Sequence, residues 1–337
     1  MSENSLGRKY TVAVVGRAFG PEAQEIIKSV VPPEFDLCFS TDTSEKAYPL
    51  ICGADFALMG TTAVTEELLK ESPKLRLVHK WGIGVDRIDL AGAERQGVPV
   101  AITAGSNAVP VAEHAVMLIL AALRRLPMAD RSVREANWRN TELRPLCRKL
   151  SGKTVGILGF GNIGRNVAQR LQGFEVDIIY HDPYRAPTSE EERLKASYVS
   201  FDDLMGQSDV LSLHCPGGAP SHHVINGRSL ALMKRGSVLV NCARGDVVDE
   251  DALVQALNSG HLLAAGLDAF DPEPLPASSK LVAMDSVVLT PHVAGNVLDN
   301  VAPIAQHAFR NMQRLIRGEA IPKSDLVVSP ARPRQFP

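Results

Sequence analysis

The segment Thr154-Val155-Gly156-Ile157-Leu158-Gly159-Phe160-Gly161-Asn162-Ile163-Gly164-Arg165 constrains this chain more than any other. An apolar run ends in three glycines spaced G-x-G-x-x-G, and a helical pattern over 163–171 follows. That order suits the strand, tight turn and helix of a doubly wound α/β domain. Gly159 permits the turn, Gly161 removes a side chain where a pyrophosphate approaches, and Gly164 lets helix and strand pack closely. Free N–H groups at the helix start then face the phosphates, so the segment points to a dinucleotide. A second apolar run, 176–180, ends at His181-Asp182. Asp182 lies 23 residues beyond Gly159, near the offset of a carboxylate that binds an adenosine ribose. Its charge repels a ribose 2′-phosphate, which favours NAD over NADP.

The 337 residues suggest about two domains at roughly 150 residues each. In the first third, strand-like runs at 11–15, 35–39, 56–59, 75–79 and 98–102 alternate with helix candidates such as 22–30 and 65–70. A parallel sheet covered on both faces is expected. A long helix candidate at 107–126 opens a second series. Its six core strands are expected at 154–158, 176–180, 210–214, 238–241, 266–269 and 287–289, with helices at 163–171, 229–233 and 250–258. A last helix is expected over 301–316, and the proline-rich tail after Gly318 should be irregular.

Composition excludes several function classes. Lys plus Arg is 36 and Asp plus Glu is 38, a net charge of -2, which argues against a strongly basic nucleic-acid binder. No apolar run approaches the ~18 residues of a membrane span. Residues 1–10 are polar and lack a signal-peptide apolar region, so a cytoplasmic protein is expected. Cys38, Cys52, Cys147, Cys215 and Cys242 are widely spaced with no CxxC, which fits neither a disulfide scaffold nor a thiolate zinc site. Cys38, Cys215 and Cys242 adjoin apolar runs and are expected in the core. His222 and His223 are chain neighbours, whose side chains tend to point apart, so no metal site is expected there. Lys80 reads as a solvated lysine at a strand end, or as a partner for a second acidic group on a substrate.

Three further segments place a polar residue just past an apolar strand: Arg244 in Asn241-Cys242-Ala243-Arg244-Gly245, Glu273 in Asp271-Pro272-Glu273-Pro274, and His292 in Pro291-His292-Val293-Ala294-Gly295. Open α/β sheets bind ligands at such positions. Singly, each residue has a structural alternative: a surface arginine, a turn cap, a hydrogen-bonding histidine. Together they form a set able to reduce a ketone beside a carboxylate. His supplies or accepts a proton, Glu orients it and favours its protonated form, and Arg holds the carboxylate with a two-pronged fork.

Six motifs in order and spacing resemble the D-isomer-specific 2-hydroxyacid dehydrogenase family. They are Gly82-Ile83-Gly84-Val85-Asp86 with Ile88-Asp89, Asn107 with Val111-Ala112-Glu113-His114, the glycine motif, and the three segments above. Arg244 and Glu273 are 29 residues apart, and Glu273 and His292 are 19 apart. The resemblance implies that His292 is the acid/base, Glu273 its partner, and Arg244 the substrate anchor. Backbone amides at Ile83 and Gly84 would hold the other side of the carboxylate. Asn162, Ile163, Cys242 and Asp268 join Gly159, Gly161, Gly164 and Asp182 as expected NAD-binding residues, with no metal. It further implies a Rossmann coenzyme domain at 105–297, and a discontinuous flavodoxin-like substrate domain at 1–104 plus 298–330. The expected partner is a small 2-keto or 2-hydroxy acid, and the expected assembly is a homodimer joined near 111–138. The arm at 131–148, with Trp138, Arg139 and Arg144, suits a subunit contact or a pocket lid. Glu113-His114 reads as a helix-to-core contact.

The chain departs from the family pattern at Arg87, at Gly295-Asn296-Val297, and at Cys215–Ser221, where a usual pair of threonines is missing. These changes touch the cofactor edge and pocket wall and leave the triad. An alternative class is an NAD(H)-sensing, corepressor-like interaction protein with little turnover.

Overall fold

A computed structural model describes residues 9–336; the polar stretch 1–8, on which part of the cytoplasmic expectation rests, lies outside them. The described residues divide into two compact units, one falling within 1–107 and 296–337, the other within 108–295.

The first unit is built on a six-stranded sheet. Its strands are β1 (Tyr10–Val15), β2 (Phe35–Ser40), β3 (Phe56–Met59), β4 (Leu77–Lys80), β5 (Val100–Ala101) and β13 (Leu326–Val328). They lie in the order β13-β5-β4-β3-β1-β2, parallel except for β13, which runs antiparallel to β5. The 2-1-3-4-5 order of its parallel part is the flavodoxin-like one. Alternate residues feed opposite faces: Ala13 and Val15 join one core cluster, Val12 and Val14 the other. The second cluster is closed by Val301, Ala305, Ala308, Phe309 and Met312 of helix Val301–Ile316.

The second unit holds seven parallel strands: β6 (Thr154–Leu158), β7 (Asp177–His181), β8 (Ala196–Tyr198), β9 (Val210–Leu213), β10 (Ser237–Asn241), β11 (Leu262–Leu267) and β12 (Val287–Leu289). Their order, β12-β11-β10-β9-β6-β7-β8, reverses direction between β6 and β9. This is the Rossmann arrangement, and ligands bind at such a switch point. Val155 and Ile157 face one core cluster and Leu158 the other; Tyr180 and Ile179 divide the same way.

Several expectations need correction. The second sheet has seven strands, because the three-residue β8 was not expected. β11 starts at Leu262 and ends at Leu267, so it lies earlier than 266–269. Its Leu-Leu-Ala-Ala-Gly-Leu sequence has little β-branching, and its small residues serve packing: a Cβ on Gly266 would sit 3.0 Å from Leu118 Cβ of helix Ala108–Leu123. The tail is not wholly irregular. It forms β13, and the Arg334 guanidinium then donates to the carbonyls of Leu69, Ser72 and Gln96. One positive charge, through three N–H donors, thus meets carbonyls in and just beyond the last turns of helices Glu66–Lys70 and Leu90–Arg95.

Lys80 is not a solvated lysine: its Nζ donates to the carbonyls of Gly60 (2.7 Å) and Trp81 (3.1 Å). His222 and His223 do not point apart; their rings stack with centroids 4.0 Å apart. Of the cysteines expected in the core, Cys242 is buried, while Cys38 and Cys215 are only partly covered. Among the described residues no helix is long and apolar enough to cross a membrane.

Candidate active site

The glycine motif closes the end of β6. Gly159 has φ +90°, in the left-handed region, and an added Cβ would lie 2.5 Å from the Cys215 nitrogen. A Cβ on Gly164 would lie 2.2 Å from the Gly159 carbonyl oxygen. Both glycines are therefore demanded by the protein's own packing. Gly161 differs: its backbone is extended and a Cβ there meets no atom within 4 Å. It precedes helix Asn162–Leu171, whose start has no side-chain cap, so the N–H groups of Asn162 and Ile163 remain available to an anion. Asp182 stands at the same edge. Its carboxylate accepts from the Phe160 N–H inside the glycine loop (2.8 Å) and from the Tyr184 N–H (2.9 Å).

Sequence reasoning missed His214, which follows β9 at the switch point. Its Nε2 meets Ser212 Oγ at 2.8 Å, while its Nδ1 is buried without a partner among the described residues. Burial pushes its pKa down to about 3, so the ring is neutral. An open Gly161 cradle, an uncapped helix start, a placed carboxylate and an orphaned ring nitrogen at one sheet edge fit a dinucleotide.

β10, β11 and β12 are neighbours in the sheet, and their carboxyl ends carry the remaining residues. After β10, Asn241 accepts from the Ala243 N–H and donates to the Arg244 carbonyl, fixing the turn that bears Arg244. A Cβ on Gly245 would lie 1.9 Å from the Phe270 carbonyl carbon, so only glycine lets this turn meet the one after β11. That second turn carries Glu273, which accepts from the Phe270 N–H at 3.1 Å. After β12 comes His292, whose Nδ1 lies 2.8 Å from both Glu273 carboxylate oxygens.

The hydrogen bond from His292 and its charge, with the Phe270 N–H and the nearby Arg244 guanidinium, outweigh burial and hold the Glu273 carboxyl below its ordinary range. In return, the bond to Glu273 raises the His292 pKa, against burial and the repulsion of Arg244. His292 has φ +54°, a conformation that costs a non-glycine residue about 1–2 kcal/mol. Asp268, buried at the end of β11, holds this turn. It accepts from Thr290 Oγ1 (2.6 Å) and from the N–H groups of Val293 and Ala294 (2.9 Å each). His114 Nε2 in turn donates to Thr290 Oγ1 at 2.9 Å. These bonds outweigh burial and hold the Asp268 carboxyl below its usual range. His114 and Thr290 were not singled out as site residues, although His114 ends the motif at 111–114, where a helix-to-core contact was expected, and Thr290 immediately precedes Pro291-His292.

Cys242 is buried at the end of β10, and burial pushes its thiol well up, so it is no nucleophile. Ile83 and Gly84 lie in the first unit, in the loop after β4, where the Gly82 N–H donates to Thr103 Oγ1.

Comparison with known proteins fits this site. Residues 116–294 match the family described as D-isomer specific 2-hydroxyacid dehydrogenase, NAD binding domain. The chain is 38% identical over 267 residues to a glyoxylate reductase from Thermococcus litoralis, covering 78% of this chain and 80% of that protein. It is 40% identical over 241 residues to a hydroxypyruvate reductase from Thermotoga maritima, covering 71% and 76%. Among solved structures it resembles an NAD-dependent formate dehydrogenase from Staphylococcus aureus in complex with NAD. The TM-score is 0.84 at 29% identity, over 95% of this chain and 100% of that one. The chain therefore belongs to the D-isomer specific 2-hydroxyacid dehydrogenase family: it is an NAD-dependent oxidoreductase that interconverts a small 2-keto acid and a D-2-hydroxy acid by hydride transfer.

Proposed function

We propose that His292, Glu273 and Arg244 carry this chemistry on a short 2-keto acid of the glyoxylate or hydroxypyruvate kind. The observation that carries the reading is the His292 Nδ1 contact of 2.8 Å with both oxygens of Glu273. A carboxylate at Nδ1 fixes the proton there and leaves Nε2 as the working nitrogen. In reduction, protonated His292 gives its Nε2 proton to the substrate oxygen; in oxidation the neutral ring takes it back. Reduced nicotinamide, when bound, supplies the hydride. Arg244 holds the substrate carboxylate, and the amides of Ile83 and Gly84 are the substrate-binding groups that the first unit contributes. Gly159, Gly161, Asn162, Ile163 and Gly164 take the pyrophosphate, Asp182 takes the adenosine ribose, and Cys242 and Asp268 complete the cofactor-facing set. The second unit is thus the coenzyme domain and the first the substrate domain.

Formate oxidation is the second chemistry among the similar proteins. It releases a hydride and CO2 and moves no proton on or off a substrate oxygen. A histidine whose pKa is raised by a carboxylate has no task there, which favours the keto-acid reading. The same pair favours turnover over an NAD(H)-sensing role.

The test is Arg244→Lys, assayed with NADH on glyoxylate and acetaldehyde. Lysine keeps the charge but not the planar fork. Native protein should prefer glyoxylate by more than about tenfold in kcat/KM, or 1.4 kcal/mol, and the variant should lose most of that preference. Native activities on the two within tenfold of each other would remove the carboxylate anchor from the reading.

A homodimer is part of the proposal. Val109, Met117, Leu126, Val133 and Trp138 are exposed large apolar side chains along 109–138, and a second copy packed on this segment would take them out of water. Sedimentation showing a monomer at micromolar concentration would refute it. A cytoplasmic location fits the five cysteines, all free thiols; recovery of the native protein in a cytosolic fraction checks it.

A further inference from the structure

The loop after β7 reads Asp182-Pro183-Tyr184-Arg185-Ala186-Pro187 and carries one cation, Arg185. Where a fold of this kind accepts NADP, an arginine near this loop receives the ribose 2′-phosphate. Arg185 stands three residues beyond Asp182, yet its guanidinium is already engaged. Nε meets Glu191 Oε1 and Nη2 meets Oε2, both at 2.9 Å. The Arg185 Cζ lies 5.5 Å from the Tyr198 ring centre, so the plane is also braced from one side.

Glu191 is itself held. Its side chain is 10% exposed against 62% for Arg185. Tyr180, fully buried in β7, donates its hydroxyl to Glu191 Oε1 at 2.6 Å, and the Ala186 N–H donates to the same hydroxyl at 3.0 Å. Arg185 first and Tyr180 second hold the Glu191 carboxyl down to about 2, so it stays charged at any working pH. A carboxylate this covered is an expensive way to fill space when glutamine would complete the same contact with Tyr180. Its charge matters to Arg185.

We propose that Glu191 is a cofactor-selecting residue acting through Arg185: by locking the loop's cation in a two-pronged ion pair, it denies a 2′-phosphate the partner that binding would require. The chain then refuses NADP twice, through the charge of Asp182 and through the withholding of Arg185. The inference rests on the assignment of Asp182 to the adenosine ribose.

The experiment is calorimetric titration of the intact protein with NAD+ and with NADP+, alongside thermal melts. Asp182→Ser should raise NADP+ affinity relative to NAD+. Adding Glu191→Gln should raise it by about a further tenfold, the worth of a charge-assisted bond to phosphate, with NAD+ affinity held within about twofold. Adding Arg185→Ala to that pair should erase the gain, whereas Arg185→Ala on Asp182→Ser alone should leave NADP+ affinity unchanged because the arginine was never available. This last variant leaves the covered carboxylate in place and keeps the proposal falsifiable if Glu191→Gln folds poorly. NADP+ affinity lost on adding Arg185→Ala to Asp182→Ser would overturn it. So would a Glu191→Gln effect equal on both nucleotides, the mark of a loop brace alone. If Asp182→Ser leaves the NADP+ to NAD+ ratio unchanged, the ribose assignment fails first and the proposal with it.

Discussion

Gly161→Ala separates ligand demand from folding demand inside one motif. An alanine Cβ at 161 meets no protein atom within 4 Å, and the backbone there, φ −76° and ψ −156°, is open to any residue. Stiffening the unfolded chain favours the variant by about 0.4–1 kcal/mol. Losing glycine at the helix N-cap costs about 0.5–1 kcal/mol in the other direction. The net change should stay within about 1 kcal/mol, or roughly 2–4 °C in Tm for a unit of this size. The new methyl instead occupies the approach to the uncapped helix start. NAD+ affinity should fall at least about tenfold, 1.4 kcal/mol. Gly164→Ala should behave in the opposite sense. Its Cβ would lie 2.2 Å from the Gly159 carbonyl oxygen, a backbone atom that cannot swing aside. An overpacking loss of about 1–3 kcal/mol or more is expected, seen as a lower Tm before any ligand is added. Thermal melts and NAD+ titration on both variants check the contrast. Native NAD+ affinity in Gly161→Ala, with Tm unchanged, would show that nothing approaches that glycine and would undo the reading of the loop.

Glu273→Gln removes the charge that raises the His292 pKa while keeping an acceptor for Nδ1. Reduction needs protonated His292, so its rate is present below that pKa and lost as pH rises through it. The falling limb of the keto-acid reduction profile should therefore move to lower pH in the variant, and the rising limb of the oxidation profile should move the same way; limbs that stay in place would exclude Glu273 as the cause. Arg334→Ala deletes three bonds to carbonyls of the first unit. A loss of about 1–3 kcal/mol in denaturant unfolding is expected, with NAD+ affinity unaffected; an unchanged midpoint would mean the tail is not a clamp.

The parts of the fold legible in the sequence are those where one local signal suffices. The β-branched runs of β6, β9 and β10 bury both faces and so read as strands without help. The glycine motif fixes a strand, a turn and a helix start within twelve residues. The parts that stayed hidden draw their stability from elsewhere in the chain. β8 and β13 are three residues each and exist because a neighbouring edge offers its backbone bonds. The same division holds at the site. Arg244, Glu273 and His292 could be picked out because each follows its own strand. The brace from His114 through Thr290 to Asp268 spans 176 residues at its first step, and no spacing rule reaches that far. The left-handed backbone at His292 was equally hidden, since a histidine gives no sign of it in sequence.

The first unit is written in two instalments. Asn300 Nδ2 donates to the Ser106 carbonyl at 2.9 Å, so the chain leaves this unit and re-enters it at almost one point. During synthesis, residues 108–295 are complete while helix Val301–Ile316 and β13 are still unmade. The contiguous unit can close its sheet on the ribosome, whereas the earlier-made one must wait with Val12, Val14 and Phe56 lacking the cover of Phe309 and Met312. Protease challenge of ribosome-held chains of increasing length would then register protection in the order opposite to that of translation: the middle of the chain first, its beginning last.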